Sequence, residues 1–426
     1  MNQNVKASSY RWVILAVYML FALVSQIQWL THAAVVRPAE VFYSGQFNQA
    51  SFFNIDFLAM AYMILFLIMS FPASYVIDTF GIKIALTFGA VLLGIFSITK
   101  AIFAASFLGV VISQIGLAIA QPFIINAVTA LTVRWFPLNE RGLAAGFATL
   151  AQFIGILIAM LVTPLLVGSN PDLANYGTGF EKMLWVYGIL SLVSAILIII
   201  LIKEHPEGSD FHATNERKKF TSGVLHILQH RDMRILMLIF LIGLGLFNAI
   251  SSMTDSIAAN DGVKDSDGLI GGLMLIGGII GAIIIPILSD YYKKRKLFLV
   301  ICIAGMTPGV FGLAFFGDFG LSPSNTYTLL LVASFIVGFF IMSAGPIGFQ
   351  YAAEVSYPAP ESASQGMMLW VGQLSGIIFV SGMSVKNNFY LPHYMTAFAF
   401  LSLVTLVAVF FLHESPMINI QTGEKL

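Results

Sequence analysis

The sequence predicts an all-α membrane protein in which twelve transmembrane helices form two pseudo-symmetric six-helix bundles. Three observations carry that prediction. Of the 426 residues, 58% are hydrophobic and only 10% are charged, against about 25% charged in soluble domains. Twelve apolar stretches can be traced, each sufficient for a span of about 20 residues. Motifs of the first half also recur in the second at a fixed spacing.

The stretches fall at 11–36, 55–77, 84–105, 107–132, 142–168, 183–202, 235–257, 268–288, 297–316, 327–351, 363–384 and 393–413. The first follows Lys6 and Arg11 as a signal sequence would, but its apolar run exceeds the usual 7–15-residue core and no clear cleavage site follows. It is read as a retained membrane helix. With the N-terminus inside, sixteen basic residues fall in inner segments, while the outer connections hold only Arg37, Lys100, Lys182, Lys264 and Lys386. That bias predicts cytoplasmic termini. The longest polar stretch, 203–234, contains Glu216-Arg217-Lys218-Lys219 and is expected to be a cytoplasmic linker between bundles 1–202 and 235–426, with room for an amphipathic helix on the membrane surface. No Asn-x-Ser/Thr acceptor occurs, which leans toward a bacterial inner membrane.

Composition also excludes classes. The 21 basic and 21 acidic residues cancel, so charge indicates no nucleic-acid partner. Cys302 is the only cysteine, which forbids an internal disulfide or a thiolate metal cluster. Gly271-Gly272, Gly277-Gly278 and Gly281 are not followed by Lys-Ser or Lys-Thr and are read as packing glycines. No zinc-protease or nucleophile-elbow motif is present. Catalytic residues, metal and cofactor are therefore assigned as none, and no enzyme is expected.

The halves repeat. Ser74-Tyr-Val-Ile-Asp78-Thr-Phe-Gly81-Ile-Lys83 follows the second stretch, and Pro286-Ile-Leu-Ser-Asp290-Tyr-Tyr-Lys293 follows the eighth. Trp135-Phe-Pro137-Leu-Asn-Glu140 parallels Ser356-Tyr-Pro358-Ala-Pro-Glu361, the prolines standing 221 residues apart. The same offset places Gln152-Phe-Ile-Gly155-Ile156 on Gln373-Leu-Ser-Gly376-Ile377. Two such units form a parallel repeat, an architecture of transporters.

The loop around Asp78 resembles the conserved loop of the major facilitator superfamily, Gly-x-x-x-Asp-Arg-x-Gly-Arg-Lys, with Ser74 for its first glycine and Thr79 for its arginine. Within that superfamily the chain resembles the feline leukaemia virus subgroup C receptor-related family through Gln28-Trp29, Ile55-Asp-Phe-Leu-Ala-Met-Ala-Tyr-Met63, Phe71-to-Gly81, Ala120-Gln121-Pro-Phe-Ile124 and Gln373-x-x-Gly376. The likeness covers most of the first half and thins in the second. It implies a secondary-active or facilitative transporter working by alternating access. A small organic solute, a choline-like amine or another amphiphilic metabolite, would be held in a central cavity lined by helices one, four, five, seven and eleven. A proton-coupled drug or metabolite efflux pump is the alternative. A non-transporting receptor or membrane enzyme is the reading from a different class.

Charges cost on the order of 3 kcal/mol at the membrane centre, so uncharged polar groups become the main candidates. Gln121, Gln152, Asn248 and Gln373 lie near span centres, with Gln28 and Trp29 somewhat outside. These residues either line the cavity or join helices through amide contacts. In the resembled family a first-helix tryptophan and a seventh-helix tyrosine enclose choline by cation–π attraction. Here Trp29 is kept, Asn248 stands for the tyrosine, Phe153 stands where the fifth-helix glutamine would fall, and Gln373 matches. The resemblance also makes Asp78, Gly81 and Lys83 gating parts, with Arg134 or Arg141 as the aspartate's basic partner; a solvated loop is the other reading. Asp290 would serve likewise, and the basic run 293–296 would meet anionic membrane lipid. His32, Asp56 and Asp255 are either proton-coupling groups or a solvated vestibule. Partners are thus a small-molecule substrate and membrane lipid, without nucleic acid, and a monomer is expected.

Overall fold

The computed structural model describes residues 9–48, 51–136, 140–206, 227–265, 267–357, 359 and 361–416. The chain divides into two compact units, Met1–Thr214 and Asn215–Leu426. The first holds α1 (Tyr10–Leu30), α2 (Val36–Phe42), α3 (Phe57–Phe80), α4 (Ile82–Ile102), α5 (Phe107–Ile125), α6 (Ala127–Trp135), α7 (Arg141–Leu166) and α8 (Phe180–Leu201). The second holds α9 (Arg231–Ser252), α10 (Thr254–Asn260), α11 (Leu269–Tyr292), α12 (Arg295–Phe315), α13 (Pro323–Val355), α14 (Glu361–Asn388) and α15 (Leu391–Phe410). Among the described residues, twelve of these helices are long and apolar enough to cross a membrane. The central part of the expected linker, 207–226, lies outside the described residues, and α9 begins four residues earlier than the apolar stretch at 235.

Three expected stretches are interrupted. The first ends as a helix at Leu30, turns, and resumes as the seven-residue α2. The Thr31 hydroxyl donates to the Ile27 carbonyl at 2.6 Å, a local bond that offers the backbone an alternative to helix continuation. The seventh likewise ends at Ser252 and resumes as the seven-residue α10 after Met253, whose φ of −124° and ψ of 23° leave the helix. The two breaks lie at nearly repeat-equivalent positions, as half-helices do in many transporter repeats. The fourth stretch divides at Asn126. Pro122 supplies no N–H and crowds the preceding turn, and the Asn126 amide donates to the Ser70 carbonyl at 3.1 Å and the Ser74 hydroxyl at 3.1 Å on α3.

The packing pattern repeats inside each unit. In the first, α1 packs on α7 and α8, α4 on α5 and α8, and α3 on α5. In the second, α9 packs on α14 and α15, α12 on α13 and α15, and α11 on α13. The close approach of α11 to α13 explains the glycines. A Cβ on Gly338 would collide with the Met274 backbone carbonyl, and one on Gly281 with the Phe339 carbonyl. Gly338→Ala is expected to destabilise the protein by about 1–3 kcal/mol, a typical overpacking cost. A thermal unfolding midpoint unchanged from wild type would show that these backbones do not approach so closely.

Candidate functional site

Each unit brings together amides from its first and fifth long helices. On α1 of the first unit, Gln26 is a relay: Gln121 Nε2 on α5 donates to Gln26 Oε1 at 3.2 Å, and Gln26 Nε2 donates to Gln152 Oε1 on α7 at 3.4 Å. Close approach of α1 and α7 makes this possible, since Gly155 lies against the Leu23 carbonyl, where a Cβ would not fit. In the second unit Asn248 Nδ2 on α9 donates to the Gly372 carbonyl on α14 at 3.3 Å and lies 3.5 Å from Gln373 Oε1. Thus Gln152 and Gln373, equivalent in the repeat, each meet an amide from the first long helix of their own unit. Both remain partly exposed, as does Phe153 beside Gln152. An amide offers donors and acceptors without net charge, which suits recognition of a polar solute at membrane depth.

Gln28 and Trp29 point elsewhere. Gln28 Nε2 donates to Ser191 Oγ at 3.0 Å, its Oε1 accepts from Lys100 Nζ at 3.3 Å, and its carbonyl accepts from Gln114 Nε2 at 3.2 Å. It belongs to the interior of the first unit and not to the Gln26 relay. The Trp29 indole donates to the Ala59 carbonyl on α3 at 3.1 Å and is only 6% exposed.

A second constellation lies where α1 begins and α8 finishes. Gly81 joins α3 to α4 with φ of 95°, a conformation that glycine adopts without Cβ strain. A Cβ there would also meet the Glu204 carboxylate. Glu204 accepts from Ile82 N at 3.1 Å and Lys83 N at 2.9 Å, capping the start of α4, and it pairs with Arg134. Carboxylates at helix N-termini satisfy open backbone donors and oppose the positive dipole end. The Arg134 guanidinium also donates to the Ile77 carbonyl at 3.3 Å. The side chains of Asp78 and Arg141 lie outside the described residues, whereas Glu140, adjacent to Arg141, bonds Arg11 at 2.9 Å.

The second unit repeats this device. Glu414 accepts from Lys296 N at 2.9 Å near the start of α12. Arg295 pairs with Asp290 and also reaches Glu354 at 3.3 Å, the arginine and Glu354 both buried. Glu204 and Glu414 are functional candidates that sequence reasoning does not single out. A signal exists: Lys203-Glu204-His205-Pro206 and His413-Glu414-Ser415-Pro416 set Glu and Pro at the same spacing after the last helix of each half.

His32, Asp56 and Asp255 are all buried, so the expectation of a water-filled vestibule is corrected for all three. His32 follows α1 and stacks on Phe180 with centroids 6.1 Å apart, Asp56 precedes α3, and Asp255 stands in the first turn of α10. Lys100 also departs from its assignment to an outer connection: it lies in the last turn of α4, at 0% exposure.

Comparison with known proteins agrees with this architecture. Residues 13–380 match the Major Facilitator Superfamily profile. The solute carrier family 49 member A3 of Xenopus tropicalis is 29% identical, covering 87% of this chain and 76% of that protein. The choline/ethanolamine transporter FLVCR2 of Homo sapiens is 26% identical, covering 90% and 74%. Among solved structures, a D-xylose-proton symporter superposes with a TM-score of 0.76 at 16% identity, covering 98% of this chain and 100% of that one.

Proposed function

The chain belongs to the Major Facilitator Superfamily, and from that premise we propose that it carries a small choline-like amine, recognised by the amides of both units. It is an integral membrane protein and a solute transporter working by alternating access. The observation that carries the substrate proposal is the repeated amide contact, Gln26–Gln152 in one unit and Asn248–Gln373 in the other. Neutral amide oxygens can face a cation's positive surface without a buried carboxylate, and Trp29 adds a π face worth about 2 kcal/mol when desolvated. The human relative's name supports the same class. Asn248, standing where the resembled family has tyrosine, favours a second reading, a neutral polar or amphiphilic solute.

On this proposal Gln121, Gln152, Phe153, Asn248 and Gln373 contact solute, and Trp29 joins them in a state that uncovers its ring. Asp78, Gly81, Lys83, Arg134, Arg141 and Asp290 govern the exchange between states, assisted by Glu204 and Glu414. The protein works as a monomer in the membrane, with both termini cytoplasmic and a linker joining bundles 1–202 and 235–426; it is no enzyme. Absence of glycosylation acceptors supports a bacterial inner membrane, although the relatives named above are from animals. The test is choline uptake into proteoliposomes. Gln152→Ala and Gln373→Ala should each raise the half-saturation concentration about tenfold, the consequence of losing roughly 1.4 kcal/mol of hydrogen bonding. Unchanged half-saturation in both folded variants would remove the amides from the site.

A further inference from the structure

Lys100 belongs to neither the amide contacts nor the helix-capping carboxylates. Its ammonium position is enclosed by α1, α4, α5 and α8, with Gln28 and Ser191 buried beside it and Gln114 packed on the Gln28 carbonyl. One bond is made, to Gln28 Oε1 at 3.3 Å, and among the described residues no carboxylate pairs with Lys100. An ammonium presents three donors, and a buried charge left without partners is costly. The carbonyl end of α4 offsets part of that cost. Acceptors stand idle nearby in the same interior: Gln114 Oε1 and the unprotonated ring nitrogen of a neutral His32, whose two nitrogens are both buried with no hydrogen-bond partner. The single Gln28 bond thus serves an uncharged amine better than an ammonium, while the cluster holds further acceptors that an ammonium reaches after small side-chain movements.

We propose that Lys100 is a proton-binding switch of the first unit, whose charged and neutral forms favour different arrangements of Gln28 and hence of α1. The chemistry is a proton transfer alone: the ammonium releases one proton to water and becomes an amine, with no other reactant. The titratable groups toward the same end of the elements around it are His32 after α1, Tyr43 after α2, Asp56 before α3 and Tyr62 on it, and Glu181, Lys182 and Tyr187 on α8; α5 carries none and contributes amides such as Gln114. Tyr43 and Tyr187 are already engaged, with the Ala104 carbonyl at 2.8 Å and the Thr163 hydroxyl at 3.0 Å. Lys100 acts through Gln28, which adjoins Trp29 on α1, so protonation is connected to solute handling whatever the solute is.

The test uses full-length protein in lipid nanodiscs, with Cys302 replaced by serine and one spin label on each unit. Distances are measured by pulsed electron resonance from about pH 6 to pH 9. One coupled proton changes the ratio of two states by up to about tenfold per pH unit, so a redistribution of about tenfold is within reach over this range and is the response expected of wild type. Lys100→Met should hold one population at every pH. Lys100→Arg, whose guanidinium stays charged, should hold the other, and His32→Gln should keep the wild-type response. Lys100→Gln, also uncharged, replaces Lys100→Met should that variant fail to fold, judged by its unfolding midpoint. The proposal is overturned if wild type does not respond to pH, if Lys100→Met or Lys100→Gln responds as wild type does, or if His32→Gln abolishes the response. A merely structural lysine would alter stability without locking methionine and arginine variants in opposite populations.

Discussion

Replacing Glu354 by leucine is expected to lower stability by about 3 kcal/mol or more, because it leaves the Arg295 guanidinium buried without its enclosed partner. Arg295 is 3% exposed and Glu354 2% exposed, and they lie 3.3 Å apart. Arg295 retains Asp290 and the Ser289 hydroxyl at 3.3 Å, which keeps the loss toward the lower end of the range for broken buried pairs. Glu354 also accepts from Ser415 after α15, so the substitution loosens the segment holding Glu414 as well. Combining Glu354→Leu with Arg295→Met should recover much of the loss, since two apolar side chains leave no buried charge unpaired and Asp290, which loses its partner, is largely exposed. Thermal unfolding of the purified protein reads both effects. A single variant as stable as wild type would mean that the pair contributes nothing to the fold.

Trp29→Ala is expected to reduce choline transport to background, and Trp29→Phe to retain part of it. A desolvated cation–π contact of about 2 kcal/mol corresponds to roughly thirtyfold in Kd, and the phenyl ring keeps a weaker π face. The indole bond to the Ala59 carbonyl adds a separate cost, because both variants leave that acceptor unpaired at about 1–3 kcal/mol. Unfolding midpoints measured beside transport therefore separate packing from recognition. With the ring 6% exposed here, a cation can meet it only in a state that uncovers α1. If Trp29→Ala folds normally and transports choline with wild-type kinetics, the ring plays no part in recognition.

Spans are legible in the sequence because their signal is additive: about twenty apolar residues announce a helix wherever they occur. Interruptions are not, since 11–36 reads as one largely apolar stretch, while a single hydroxyl-to-carbonyl bond at Thr31 and the off-helix dihedrals of Val35 mark the break. The 221-residue offset locates Gln152 and Gln373 but not Gln26. Helical periodicity groups Ser25, Gln28, Trp29 and His32 on one face; it says nothing of which neighbour each face meets, and the α7-facing residue is Gln26. Lys100 is obscured differently. Two residues from a helix end, a lysine usually reaches water, and only the packing of α1, α5 and α8 encloses this one. Glu204 is hidden by its charged neighbours, which suggest a solvated linker, whereas its carboxylate caps α4.

The central claim, carriage of a choline-like amine by this superfamily member, is tested most directly by entrance counterflow. Proteoliposomes loaded with unlabelled choline are diluted into a trace of labelled choline, and lumenal label is followed with time. The account predicts a transient accumulation above the external concentration, absent from protein-free vesicles. Label that never exceeds the protein-free control, with correctly folded protein in the bilayer, would contradict it.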